Sequence, residues 1–574
     1  MSNGRHSGGF SFYTTNEELI FQRSDTGGKG FGKVLKINKF TSEVTVCCDN
    51  PGLGQLPRKQ IYGIYGMFET ITGSCLILVT DAEEVGCIQG WKVWCVKDTE
   101  FVEYGTESLT KTNRRNKNTL MSMVSYVLSV PYHYFSFGYK LSCKMQRDDI
   151  PDDHFIWNKT LRENFAKGDE EVSKFVLIIV HGYISIKQDD LYTGKEFNWA
   201  VISRRSRYNA GTLSYTTGIN LDGHAANFVE TEQIVECEGD VASFVQTRGS
   251  APVLWNNLPN LKLKPSIVID CMNDHMTAFS KHFEQQINYY GHQVLVNLIS
   301  ERGLEAELCE CYENLVKSYN KKNARPWLSY EGFDFNQECG KWQWDRLSNL
   351  IDRTKHHLEN YGYLHLGPRS SLTKKGQEER RIEKKQTGVF RTNCLASLDR
   401  TNIFQAMLAY KNLEIVFKRL GILGKESSLH DYHFFGNGFK NVWANNADVL
   451  ALQYSGSIAM KTDQTYAGEL HDSLHRYCNN NFKNGFRQDA LDYFHGLLRI
   501  EEDAYVAKPE TSLFWTFAVL LFWTLVYVIS FGNITYPDLV NRPNYKKRYE
   551  LEKINSHVRQ KNQDPILEIK LRID

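Results

Sequence analysis

The chain carries almost no net charge: 68 Lys and Arg against 67 Asp and Glu leave +1 over 574 residues. No global field therefore draws it to nucleic acid or to an acidic membrane, and any anion site has to be local. It also lacks the paired cysteines of a zinc module. Its 13 Cys are scattered, none in C-x-x-C spacing, and neither Cys47-Cys48 nor the Cys309/Cys311 pair has the second pair that a closed site requires. No metal and no cofactor are expected, and a reduced, cytosol-facing chain is the simplest account. Residues 1–15 contain no apolar h-region, so no cleavable signal peptide is expected there. Internal repeats and low-complexity tracts are absent, which excludes solenoids and arrays.

What is present divides along the chain. From Ser512 to Tyr536 there is no charged residue, and Leu513 to Phe531 is nearly all Leu, Val, Phe, Trp, Ile and Ala. About 20 such residues at 1.5 Å rise cover a hydrocarbon core of roughly 30 Å, so 511–533 reads as a membrane segment and 534–574 as a polar tail. The start of the chain reads as strands. Val34–Asn38 and Glu43–Val46 alternate with period two, Ser74–Val79 is a buried-strand run, and Trp91–Val96 alternates again. This gives a β-rich module over 1–170, with helical character near Thr119 to Ser129. Phe175–Val180 is a solid apolar run that predicts a central strand covered on both faces. Helices and short strands alternate beyond it, an α/β domain over 171–508 with its clearest helices at Ala278–Tyr290, Leu304–Tyr319 and Asn402–Leu420.

One cysteine stands apart. Cys394 is the only one with Arg six positions on, at Arg400. Thr387–Phe390 before it can end a strand, and the residues from Thr401 begin an apolar-periodic helix. A strand, a loop and a helix N-terminus in that order aim backbone N–H groups at one point and make an anion cradle. Those surroundings, with a guanidinium beside them, favour a thiolate at neutral pH. Cys394 then attacks phosphorus in line to give a cysteinyl-phosphate, and Arg400 grips two phosphoryl oxygens with its planar fork. Thr401 is placed to hydrogen-bond the sulfur when it leaves. The bland alternative is a buried Cys beside a helix-capping Arg.

Arg391–Asn402, RTNCLASLDRTN, resembles the Sac phosphoinositide phosphatases, whose pattern is R-x-N-C-x-D-x-L-D-R-T-N. The similarity runs in order through Ile61–Gly66, Ile202–Arg207, Asn227–Gln233, Ser243–Ser250, Trp443–Asp448, Gln453–Gly456 and Asn480–Ala490. The resemblance implies a Sac N-terminal subdomain, an α/β catalytic domain with a C-x5-R cysteine-phosphatase loop, and metal-independent removal of phosphate from inositol lipids. Arg391 and Asn393 belong to the implied substrate-binding set. The C-terminal apolar segment places the chain nearest the membrane-anchored branch, which faces the cytosol from endoplasmic reticulum and Golgi and favours phosphatidylinositol 4-phosphate. Phosphoinositides and the membrane are the implied partners; nucleic acid is not one, and no protein partner is indicated. Arg205, Arg207 and Lys461 are the candidates for lipid docking, against the alternative that they are solvated or ion-paired.

The sequence departs from that pattern in four places. Ala396 stands where the family has an acid two residues after the cysteine, which leaves Asp399 as acid or loop brace. Tyr466 and Glu469-Leu470 replace three basic residues of a K-T-D-x-T-R-T-G-K-R stretch, and Asn336 replaces a His after Phe333-Asp334-Phe335. Finally, there is one apolar segment rather than two. Arg542, Lys546, Lys547 and Arg548 follow it and Glu501, Glu502 and Asp503 precede it, so a single span would put the phosphatase on the wrong side. A re-entrant hairpin near Gly532 resolves that conflict. Two readings stand: an active phosphoinositide phosphatase, or a Sac-fold pseudophosphatase that binds or scaffolds inositol lipids at the membrane.

Overall fold

The computed structural model describes residues 9–498, apart from 24–32, 49–56, 71–72, 106–110, 148–151, 263, 340–345, 370–379 and 460–472. The apolar segment 511–533, the tail and Lys461 lie outside the described residues, among which no helix is long and apolar enough to cross a membrane.

The alternating N-terminal runs form a five-stranded antiparallel sheet in the order Val44–Cys47, Val34–Asn38, Glu18–Arg23, Phe10–Thr14 and Lys59–Ile61. The next strands, Gly63–Thr70, Gly73–Ile88 and Trp91–Tyr104, open a second, thirteen-stranded sheet. It continues without a break through His133–Phe135 and Val180–Asp189 into Phe197–Arg205, Val229–Cys237 and Asp240–Arg248. All of these pair antiparallel. Past Arg248 the sheet turns parallel: Gly388–Asn393, then His292–Asn297, then Leu328–Gly332. Hydrogen bonding thus runs across residue 170, so the β-rich module and the α/β part share one sheet.

The expected strand at Phe175–Val180 is not one; the strand begins at Val180. Length and apolarity alone do not distinguish a buried strand from buried coil. Asn158 explains how the run stays buried without a ladder. Its amide Nδ2 donates to Leu177 O at 2.9 Å and to Tyr65 O at 2.6 Å, and its Oδ1 accepts from Ile179 N at 3.0 Å. The helices are longer than periodicity implied: Lys111–Ser129, His275–Tyr290, Ala306–Lys322 and Asp399–Leu420. The last packs with His433–Ser455 over the sheet, burying Phe404, Leu408, Phe417, Phe439 and Trp443 against Trp199 and Phe244.

Where the two parts meet, Arg204 is fully buried between two carboxylates. It donates to Glu230 at 2.8 Å, Glu232 at 2.6 Å and the Cys143 carbonyl at 2.8 Å, and also to Leu141 O. Burial raises the Glu230 carboxyl and Arg204 opposes that rise. Removing one member of such a set leaves uncompensated charge in the interior. Arg204→Met is expected to destabilise the protein by about 3–5 kcal/mol. Urea unfolding followed by tryptophan fluorescence measures it, and an unchanged midpoint contradicts it.

Candidate functional site

Three parallel strands end at one edge of the sheet. Asn297 pairs with Asn393, Thr392 pairs with Arg248, and the strand carrying Thr392 and Asn393 lies in the middle. Ligand sites in such sheets form beyond the carboxyl ends of the strands, and Cys394 is the first residue beyond this one. The Asn393 side chain is buried and donates to Asn297 Oδ1 at 2.6 Å, and its carbonyl accepts from Leu298 N at 2.8 Å. The central strand is therefore fixed to its neighbour up to the cysteine.

The loop then turns sharply. Ser397 N donates to the Cys394 carbonyl at 3.1 Å, and Ser397 takes φ +51°, the left-handed region that a non-glycine residue adopts at a cost. Its hydroxyl lies 2.7 Å from Gly249 O and 3.2 Å from Cys394 O, which ties the turn to the end of the adjacent strand. The helix starts at Asp399, and Asn402 N donates to Leu398 O. Cys394 is 4% exposed at the mouth of this turn. Ala396 packs into a small apolar cluster with Leu398, Leu213, Ala447, Tyr454 and Ala459.

Arg400 has its guanidinium turned to the rim. It donates to Leu298 O at 3.0 Å and pairs with Glu305 at 3.2 Å, with the Phe335 ring 5.9 Å away. Burial lowers its basicity, but Cys394, Glu305 and Asp399 together more than offset that, so its pKa is raised. Asp399 pairs with Arg476 at 3.4 Å, the geometry of a brace. The Thr401 hydroxyl is buried and finds no partner among the described residues.

Other expected site residues are placed differently. Arg391 is fully buried; its Nε donates to His282 Nε2 at 3.2 Å and one Nη to Ser250 O at 2.8 Å. Arg391 and Asn393 thus hold the loop strand from beneath. Arg205, expected at a lipid surface, is 2% exposed and donates to Gln453 O at 3.0 Å and Gly211 O at 2.7 Å. It is an internal pin with no face toward lipid. Burial and the nearby Arg487 push its guanidinium down to about 9. Arg207 is half-buried, reaches Thr160 Oγ1 at 3.4 Å and stacks over Tyr208 at 4.7 Å. Sequence reasoning missed Glu305, Arg476 and Arg248 as neighbours of the loop. Only Arg248 had a signal, its place in the Ser243–Ser250 block. Among the described residues no three His, Cys, Asp or Glu side chains converge as metal ligands.

Comparison with known proteins identifies the family. A family model described as SacI homology domain matches residues 62–340. Phosphatidylinositol-3-phosphatase SAC1-B of Danio rerio is 34% identical over 91% of this chain and 90% of its own length. Phosphatidylinositol-3-phosphatase SAC1 of Drosophila melanogaster is 37% identical over 85% and 84%, and the Saccharomyces cerevisiae protein of that name is 33% identical over 77% and 73%.

Proposed function

Because this chain belongs to the Sac phosphoinositide phosphatases, we propose that it removes a phosphate monoester from an inositol lipid through a cysteinyl-phosphate on Cys394, with phosphatidylinositol 4-phosphate the preferred substrate. The observation that carries this reading is Cys394 at the carboxyl edge of parallel strands, in a tight turn that runs into a helix N-terminus. The Cys394 sulfur forms a bond to phosphorus as the bond to the inositol oxygen breaks, and the departing oxygen takes a proton from solvent water. Arg400 leaves Glu305 to hold the equatorial oxygens, and Thr401 offers its unpartnered hydroxyl to the sulfur. Water then attacks phosphorus and returns the thiolate. The catalytic unit is 171–508, preceded by the module 1–170. The 511–533 segment holds the enzyme to endoplasmic reticulum or Golgi membrane with its site facing the cytosol.

Two observations favour the second reading, a lipid-binding protein without turnover. Ala396 sits among apolar side chains where an acid would assist the leaving group, and Arg400 is engaged by Glu305. Loss of general-acid help lowers a rate roughly 10²- to 10⁴-fold. The full-length chain, given vesicles of phosphatidylinositol 4-phosphate or, as the relatives' names suggest, the 3-phosphate, distinguishes the two. Release from the 4-phosphate above that from the 3-phosphate is expected, with Ala396→Asp faster than the parent by at least tenfold. Vesicle binding without release by either protein would leave only the binding reading.

A further inference from the structure

Arg248 closes the strand Asp240–Arg248 and pairs in parallel with Thr392, two residues before Cys394. Its side chain is 0% exposed. One Nη donates to Asn402 Oδ1 at 2.9 Å, in the first turn of the helix that follows the cysteine loop. Arg248 therefore spans the loop from below, from the strand beside its entry to the helix at its exit. Asn402 is itself fixed: its Nδ2 donates to Trp443 O at 3.0 Å, and its Oδ1 also accepts from Asn446 at 3.0 Å.

The remaining nitrogens, Nε and the other Nη, are buried and have no hydrogen-bond partner among the described residues. The contrast with Arg204 is direct, since that equally buried guanidinium lies between Glu230 and Glu232. No carboxylate is paired with Arg248 among the described residues. A buried cation lacking a counter-ion is unfavourable unless an anion forms beside it. Burial pushes its guanidinium down to about 9, and the group acting against that fall is Cys394. Among the described residues, the charged groups that act on Cys394 include Arg248 below and Arg400 at the rim, the latter shared with Glu305, while Asp399 is paired with Arg476.

We propose that Arg248 is a positioning residue for the nucleophile: its buried guanidinium is the counter-cation of the Cys394 thiolate and ties the loop to its helix, which leaves Arg400 for the substrate phosphate. This rests on Cys394 being the nucleophile of the proposed reaction. Lys in place of Arg248 keeps the charge but loses the fork that also reaches Asn402; Met keeps only the bulk.

The test uses the full-length chain, Arg248→Lys and Arg248→Met. Alkylation of Cys394 by iodoacetamide is followed across pH by mass spectrometry of its peptide, and turnover is measured on phosphatidylinositol 4-phosphate vesicles. For Arg248→Met, alkylation at pH 7 should slow about tenfold, its midpoint moving up by about one pH unit. The kcat should fall at least tenfold with KM within about twofold, and Arg248→Lys should recover part of both. A purely structural role predicts the reverse for alkylation, because a loosened loop exposes the sulfur and speeds the reaction. Faster or unchanged alkylation in Arg248→Met overturns the proposal, and if that variant does not fold, faster alkylation in Arg248→Lys than in the parent overturns it. If alkylation slows as expected but the parent releases no phosphate, the ion pair stands and the enzymatic reading falls.

Discussion

Cys394→Ser is expected to lose turnover on inositol lipids by about 10⁴-fold or more while keeping the fold. A serine hydroxyl is not ionised at neutral pH. Among the described residues the charged groups that act on Cys394 include Arg248 and Arg400, both cations, and Asp399 is paired with Arg476. The replacement exchanges one sulfur for a smaller oxygen in a nearly closed position, so the Ser397 turn and the Asn393–Asn297 bond remain. The measurement is phosphate released from vesicles beside the thermal midpoint of each protein. If the serine variant turns over within tenfold of the parent, Cys394 is not the nucleophile and the strand–loop–helix serves another purpose.

The second large effect is acid unfolding. Among the described residues, His133, His181, His282 and His495 are buried without a carboxylate against the ring. Burial pushes His133 down to about 4 and the other three well below their ordinary range. Hydrogen bonds fix two of them as neutral rings. His133 Nε2–H donates to Val130 O and its Nδ1 accepts from the Tyr65 hydroxyl; His282 Nδ1–H donates to Gly223 O and its Nε2 accepts from Arg391. Their charged neighbours are cations or other imidazoles: Arg205, His133 and His495 around His181, Arg205 and Arg207 around His495, and Arg391 and His224 around His282.

Below about pH 6.5 the unfolded chain takes up protons at these rings while the folded chain does not, so stability present above 6.5 is lost as pH falls toward 4. Each ring contributes about 1.4 kcal/mol per pH unit, on the order of 8 kcal/mol for four between pH 6.5 and 5. That is comparable to the whole stability of an ordinary domain. Urea midpoints at pH 7.5, 6.5 and 5.5 should drop steeply over the last interval, and His133→Gln should flatten the slope by about one proton. A midpoint independent of pH from 7.5 to 5.5 would refute this account.

The site was more legible in the sequence than its support. The cysteine loop declared itself because strand, turn and helix are contiguous there, and the backbone alone makes that geometry. Arg248 gave no comparable signal: it is 146 positions from Cys394, and only the parallel pairing with Thr392 brings them together. Arg205 was misjudged for the opposite reason. An Arg pair at the end of a strand looks solvated, but the carbonyl of Gly211, six residues on, and that of Gln453 from a distant helix close over it. The period-two runs gave the early strands correctly, since one buried face leaves a plain imprint. The apolar run at Phe175–Val180 did not, because it meets the strand Gly63–Thr70 at a single bridge, Ile64 with Val176, and Asn158 satisfies the backbone of Leu177 and Ile179 instead of a longer ladder. No pattern in the sequence marks the sheet as continuous across residue 170, since pairing between segments leaves no local trace.

The Arg400–Glu305 pair has a bearing on selectivity. A membrane presents a great excess of phosphodiester headgroups, each with a single negative charge, over the terminal monoesters of inositol lipids. At neutral pH a monoester carries about −1.5 to −2. A guanidinium already matched by one carboxylate gains little by exchanging it for another monoanion, and it gains substantially from a dianion with a second oxygen to grip. If Arg400 holds the substrate phosphate as proposed, Glu305, which pairs with it at 3.2 Å, sets a charge threshold that bulk phospholipid does not cross and a scarce signalling lipid does.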